Sequence, residues 1–224
     1  MMFLRANQST IEGHFLEFRG DLSPKHLDAV SGQFVDVYGA AQSSNPFSQD
    51  TWHHCCGIWE ATNKRYVLLD GGSEGTNSTN IVPASLTHTT ISSLAHSWAR
   101  SFYFYGHIAE AAVYDISVWP GATSADKVTS FKAGVLPSLV KGASPALIPL
   151  GLIAYWPLIR STDQDIVGGY HMTPFNNPTV GDHPPSVWYP VLEWGRQSES
   201  EGGVVTVTVT HTVTTTAVVV DPCL

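Results

Sequence analysis

Charge is scarce in this chain. Only 13% of its 224 residues are charged, and 11 lysines and arginines are outnumbered by 19 aspartates and glutamates. A net charge of -8 leaves no basic stripe for a phosphate backbone or an anionic lipid surface, so no nucleic-acid and no membrane partner is expected. Cysteine is nearly lacking as well: there are three, two of them adjacent in "HHCC". Neighbouring strand positions point to opposite faces, so Cys55 and Cys56 make a poor disulfide framework and read as buried thiols. No window reaches the roughly 18 uninterrupted apolar residues of a membrane span. The opening "MMFLRANQST" carries one arginine and no apolar run of signal-peptide length, so neither a cleaved leader nor an anchor is expected.

Glycine, proline and aromatic residues are plentiful instead, and the runs between turns are short, which favours antiparallel sheets over helix bundles. The strands expected are "HFLEFRG", "QFVDVYGA", "TWHHCCGIWE", "RYVLLDGG", "FYFYGHIAEAAVYD" and "LIAYWPL". Two of them form a hairpin around Thr62 to Lys64. One helix is clear in "TSADKVTSFKAG": Thr123 or Ser124 caps it, Asp126 lies in its first turn, Val128 and Phe131 share a face, and Gly134 ends it. From about 147 to 192 the prolines at 149, 157, 174, 178, 184, 185 and 190 impose turns and edge segments. "WGRQSESEGG" then reads as a polar linker.

The chain closes with "GGVVTVTVTHTVTTTAVVVDPCL". Val205, Val207, Val209, Val213, Ala217 and Val219 form one apolar side, broken by His211 and Thr215, and every even position from 206 to 216 is threonine. That is a two-faced strand. The 17 residues 204–220 span roughly 56 Å at about 3.3 Å each, whereas a domain of about 190 residues is roughly 40 Å across. The strand outruns its own domain.

The order "TWHHCCGIWE", "RYVLLDGG", "GHIAEAAVYD", "SADKVTSFKAG", "LIAYWPLI" and "HPPSVWYP" resembles the laminin-G-like jelly rolls of the concanavalin A-like lectin and glucanase superfamily, especially those of phage and environmental virus structural proteins. The resemblance spans about residues 12 to 190 and implies an all-β, two-sheet antiparallel jelly-roll sandwich with one short helix, here followed by a long C-terminal extension strand. The division expected is a jelly roll over 1–193, a linker over 194–203 and an assembly strand over 204–224. Members of the family begin with a strand or more before the stretch matching "HFLEFRG", and almost nothing precedes it here. A sandwich short of a strand, with a spare strand on a leash, suggests strand donation between copies. The alternatives are a tail that fills its own domain and a stalk strand pairing in a trimer.

Because this fold serves glycan binding, hydrolysis and assembly alike, chemistry has to be read from sites. Hydrolysis needs two carboxylates flanking the bond, about 5 to 5.5 Å apart in a retaining enzyme. The Glu-x-Asp-x-x-Glu run of the similar glucanases does not occur: Glu12, Glu17, Glu60, Glu110 and Asp115 are spaced otherwise. Asp163 and Asp165 sit in a turn-like stretch that they shape. No catalytic residue and no enzyme activity is expected, nor a zinc site, since "HHCC" has no second ligand pair. Among cofactors only calcium fits, on Asp70, Glu74, Asn77 and Asn80 of "LDGGSEGTNSTN", although a tight Asp-Gly-Gly turn explains the same residues. Glycan-binding candidates are Trp98, Trp119 and Trp188, and Asn7 and Asn77 stand in glycosylation triplets. The expectation is a structural subunit that forms a homo-oligomer or polymer through its last strand in a virion or extracellular filament. The alternative is a carbohydrate-binding module of a phage fibre, with glycans as partners.

Overall fold

The computed structural model describes residues 2–5, 12–19, 23–33, 37–83, 88–92, 94–96, 99–101, 104–159, 164–174, 178–181 and 184. Five strands form the first sheet: β1 (Met2–Arg5), β2 (Glu12–Arg19), β3 (His26–Gln33), β4 (Val37–Gln42) and β8 (His88–Ile91), in the order β4-β3-β2-β1-β8. A second sheet is built from β5 (Cys55–Ala61), β6 (Lys64–Leu69) and β7 (Gly72–Asn77) in sequence order. Two further pairs complete the strands of the described residues, the short hairpin of β9 (Leu94–His96) with β10 (Ala99–Ser101), and β11 (Ala111–Tyr114) with β12 (Leu152–Trp156), which the helices separate in sequence. Every pairing is antiparallel.

The second sheet is apolar on both faces, which explains why β6 is buried without interruption from Arg65 to Leu69. Val67 and Leu69 meet Leu27, Ala29, Ala41 and Phe47 of the first sheet and its loops. Tyr66 and Leu68 of β6, with Ile58 of β5, pack instead under Val128, Phe131, Val135, Leu136 and Leu139. Val128 and Phe131 come from α1 (Ser124–Gly134), Leu136 and Leu139 from the single turn α2 (Leu136–Leu139) that follows it, and Val135 from the junction between them. The helix starts where the sequence reading puts it: Thr123 accepts from the Asp126 N–H at 3.2 Å, and Asp126 accepts back from the Thr123 N–H at 3.0 Å. This reciprocal cap satisfies two of the amides that a helix start leaves open.

Four expectations need correction. Met2–Arg5 is a strand, paired with both β2 and β8, so the place ahead of "HFLEFRG" is filled. "QFVDVYGA" is not one strand; it spans the end of β3 and the start of β4. β3 itself escapes a hydrophobicity reading because Asp28 and Ser31 are buried among its apolar residues. "FYFYGHIAEAAVYD" shrinks to the four residues of β11 because Glu110 takes a left-handed φ of 56° and ends the extended run. Finally, "GSEGTN" is the strand β7 and not a loop, and its Gly75 lets it approach β4: a Cβ there would stand 1.7 Å from the Gln42 carbonyl oxygen. The segment 185–224, with the linker and the assembly strand, lies outside the described residues.

Candidate functional site

A cavity of about 420 Å³ is lined by β5 and by β11 with the residues just before it. It is lined by consecutive residues, 55–59 of β5 on one side and, on the other, 111–114 of β11 with 108–110 before it. A strand that turned a face to the cavity would contribute alternate residues only, so both strands present an edge. Leu16, Phe18 and Leu27 close it on the side of the first sheet, and Phe131, Leu136 and Leu139 on the side of the helices. Cys55 and Cys56 stand on this edge, facing opposite ways as expected: Cys55 packs with the first-sheet cluster and Cys56 with the helix cluster. Burial pushes both thiols up, Cys56 to about 12, which leaves them protonated and unreactive.

Few of the lining residues are polar. Glu110, 3% exposed, accepts from the Tyr155 hydroxyl at 2.5 Å, and that hydroxyl lies 2.9 Å from Ser144 Oγ. His54, equally buried, has an Nδ1 without a hydrogen-bond partner among the described residues, and burial holds its pKa down to about 4. His53 points elsewhere. Its Nδ1 lies 2.8 Å from Asp70 Oδ2, and its Nε2 lies 2.9 Å from the Ser48 carbonyl oxygen and 3.2 Å from Ser48 Oγ. Burial alone would lower this histidine's pKa, but the Asp70 hydrogen bond, the Ser48 carbonyl and the Asp70 charge outweigh it and raise it. Both ring nitrogens face acceptors, Nδ1 the Asp70 carboxylate and Nε2 the Ser48 carbonyl. A Ser-His-Asp order is present, yet an Nε2–H aimed at a carbonyl cannot take the serine proton, and the cluster works as a clamp on the turn before β5.

The residues singled out from the sequence scatter. Asp70 accepts from His53 and, through Oδ1, from the His54 N–H at 2.8 Å. Glu74 bonds Lys132 Nζ at 2.7 Å on α1. The Asn77 Oδ1 accepts from Arg65 Nη1 at 2.9 Å and the Thr79 N–H at 3.0 Å, and Asn80 is exposed beyond β7. Three of the four calcium candidates thus hold protein partners of their own. Among the described residues, no three His, Cys, Asp or Glu side chains converge for a metal. Trp119, a glycan candidate, is 8% exposed and edge-on to Phe131 at 5.5 Å; it fills the helix core and offers no sugar platform. Trp98, Trp188, Asn7, Asp163 and the valines of the tail lie outside the described residues.

The acids are separated in the same way. Glu60 accepts from the Tyr66 hydroxyl at 2.5 Å, Asp115 caps a 3-10 turn through the Ser117 N–H at 2.8 Å, and Asp165 gathers the N–H groups of Tyr155, Val167, Gly168 and Tyr170. Asp165 shapes its loop, as the sequence reading has it. An aromatic pair escaped that reading: Trp52 and His107 lie 6.1 Å apart, and Tyr105, two residues before His107, is 72% exposed. Both stretches had been assigned to strands, which hid the fact that these residues fall at strand ends.

A laminin G family model described as the concanavalin A-like lectin/glucanases superfamily matches residues 6–122, just over half of the chain. The chain belongs to that superfamily. No curated protein and no solved structure matches it. Membership in the superfamily fits a carbohydrate-binding or a structural role, and the laminin G-like fold is generally non-catalytic. Among the described residues no helix is long and apolar enough to cross a membrane.

Proposed function

We propose that this superfamily member is a non-enzymatic structural subunit that joins to further copies of itself through the strand at 204–220, in a particle or an extracellular filament. The observation that carries the reading is the strand's two-sidedness, with threonine at every even position from 206 to 216, within a run of 17 residues that at roughly 56 Å is longer than the domain that bears it. Six apolar side chains at about 1.5–3 kcal/mol each bring on the order of 10–20 kcal/mol before ordering entropy is subtracted, enough for a lasting joint. A head-to-tail contact of this kind gives a ring where the rotation closes and a fibre where it does not. The separate partners of Glu60, Glu110, Asp115 and Asp165 support the absence of a hydrolytic pair. Size exclusion with light scattering compares the full chain with one ending at Gly203. An assembled full chain beside a monomeric truncation supports the reading, and two well-folded monomers defeat it.

A carbohydrate-binding role is the second reading, favoured by the exposed ring of Tyr105, two residues before the His107 of the Trp52–His107 pair. Rings at a strand end suit stacking on a sugar face. Glycan-array binding that disappears in W52A and Y105A would establish it.

A further inference from the structure

β5 and β11 run in the same direction. Trp52, just before β5, touches His107, just before β11, so both strands leave from one end of the domain, and both then line the same cavity along their length. Every strand pairing described is antiparallel, and among the described residues β5 pairs only with β6 while β11 pairs only with β12. Two same-sense strands facing each other edge to edge across an apolar cavity are what an antiparallel sheet shows when the strand between them is missing. One extended segment running the opposite way would join β7-β6-β5 to β11-β12 in a single alternating sheet, with hydrogen bonds on both of its edges.

We propose that this place is taken by the first half of the C-terminal strand, residues 204–210, of a second copy of the chain, running antiparallel to β5 and β11. The inference rests on the assembly reading above and gives it an acceptor site. Residues 204–210 are the stretch in which valine and threonine alternate without interruption after Val204, and their seven residues equal the seven of β5. Inside the place, apolar walls stand on both sides: Leu16, Phe18 and Leu27 on one, Phe131, Leu136 and Leu139 on the other. Few of the lining residues are polar, and among them His54 offers an Nδ1 without a hydrogen-bond partner among the described residues to a threonine hydroxyl. Pro184 is the last residue described, and the 20 steps from it to Val204 reach at most about 70 Å when extended, beyond the roughly 40 Å width of the domain. The strand is also more than twice as long as β5, so the part beyond Thr210 runs on past the acceptor place, while the stretch from 185 to 203 links the two bodies.

The test uses the full chain with a photo-crosslinking benzoylphenylalanine at Val207, assembled from equal amounts of nitrogen-15-labelled and unlabelled protein. Crosslinks between heavy and light chains mapping to residues 55–61 and 111–114 are expected. Crosslinks to the outer edges of β4 or β12, or to the tails of other copies, overturn the proposal, and so do crosslinks confined within single chains. The mass of the same sample by light scattering separates the two levels. An assembly whose crosslinks fall elsewhere removes this acceptor site and leaves the assembly reading standing, whereas a monomer removes both. In a second arm, A112R places a long cationic side chain in the lining and is expected to reduce the assembly to monomer with near-ultraviolet circular dichroism unchanged. If A112R retains full assembly with that spectrum intact, the acceptor site is wrong; if it fails to fold, the crosslink map of the otherwise unaltered chain decides.

Discussion

Replacing Arg65 by methionine should remove the strongest polar tie in the domain. The residue is completely buried on β6. Its Nη1 donates to the Gly39 carbonyl and Asn77 Oδ1, both at 2.9 Å, and its Nη2 donates to the carbonyls of Thr62 at 2.9 Å and Thr79 at 2.6 Å. One guanidinium therefore joins β4, the β5–β6 turn and the segment after β7. Gly39 belongs to the same device, since a Cβ there would lie 2.0 Å from Nη1. Hydrogen bonds to a charged donor contribute about 1.5–3 kcal/mol each, but they are not additive, and methionine recovers part of the loss through apolar contacts. We expect R65M to cost about 3–5 kcal/mol out of a total of roughly 5–15 kcal/mol for a domain. At about 2–4 °C per kcal/mol the melting temperature falls by roughly 6–20 °C. Urea unfolding followed by circular dichroism measures it, with R65K expected between the two because an ammonium cannot span the four acceptors. A loss below about 1 kcal/mol for R65M would show that burial of the arginine, and not its hydrogen bonds, is what the fold requires.

Further expectations follow from the same geometry. G75A forces a methyl against the Gln42 backbone and should cost at least about 2 kcal/mol by parting β7 from β4, read as a lower urea midpoint. T123A deletes the helix cap and should cost about 0.5–2 kcal/mol, visible as a lower melting temperature of the α1-covered core. His54 has a folded-state pKa of about 4 against 6.5, so below pH 6.5 the unfolded chain takes a proton that the folded one refuses, and stability declines as the pH falls toward 4. H54Q should flatten that limb of a plot of urea midpoint against pH; an unchanged slope would count against the burial of this ring. His53 works in the opposite sense: its raised pKa gives a contribution fully present below 6.5 and lost as the pH rises through the folded-state value. D70N should abolish that alkaline decline.

The hairpin of β5 and β6 and the helix α1 were legible because their signals are local: a two-residue turn at Thr62 and Asn63, and a capping residue three positions before an acid. β3 and β7 were not, since buried Asp28 and Ser31 and a glycine-rich "GSEGTN" carry no alternation, and their strand character comes from neighbours distant in sequence. β-propensity of this kind is a property of the sheet more than of the segment. The strand expected to be lacking ahead of "HFLEFRG" is present as Met2–Arg5, paired with β2 and β8. The place proposed above between β5 and β11 rests on two strands far apart in sequence, which no local pattern brings together. Trp119 shows the same limit, because its burial depends on Phe131 of a helix that follows it.

Amide hydrogen exchange along the facing edges of β5 and β11 tests most directly that the sheet is completed by the C-terminal strand. In the full chain, amides of Cys55–Ala61 and Ala111–Tyr114 that face the cavity should exchange at least about tenfold more slowly than in a chain ending at Gly203, with β6 unchanged, since an edge amide gains a partner only when the strand is seated. Equal exchange in both chains would contradict the account.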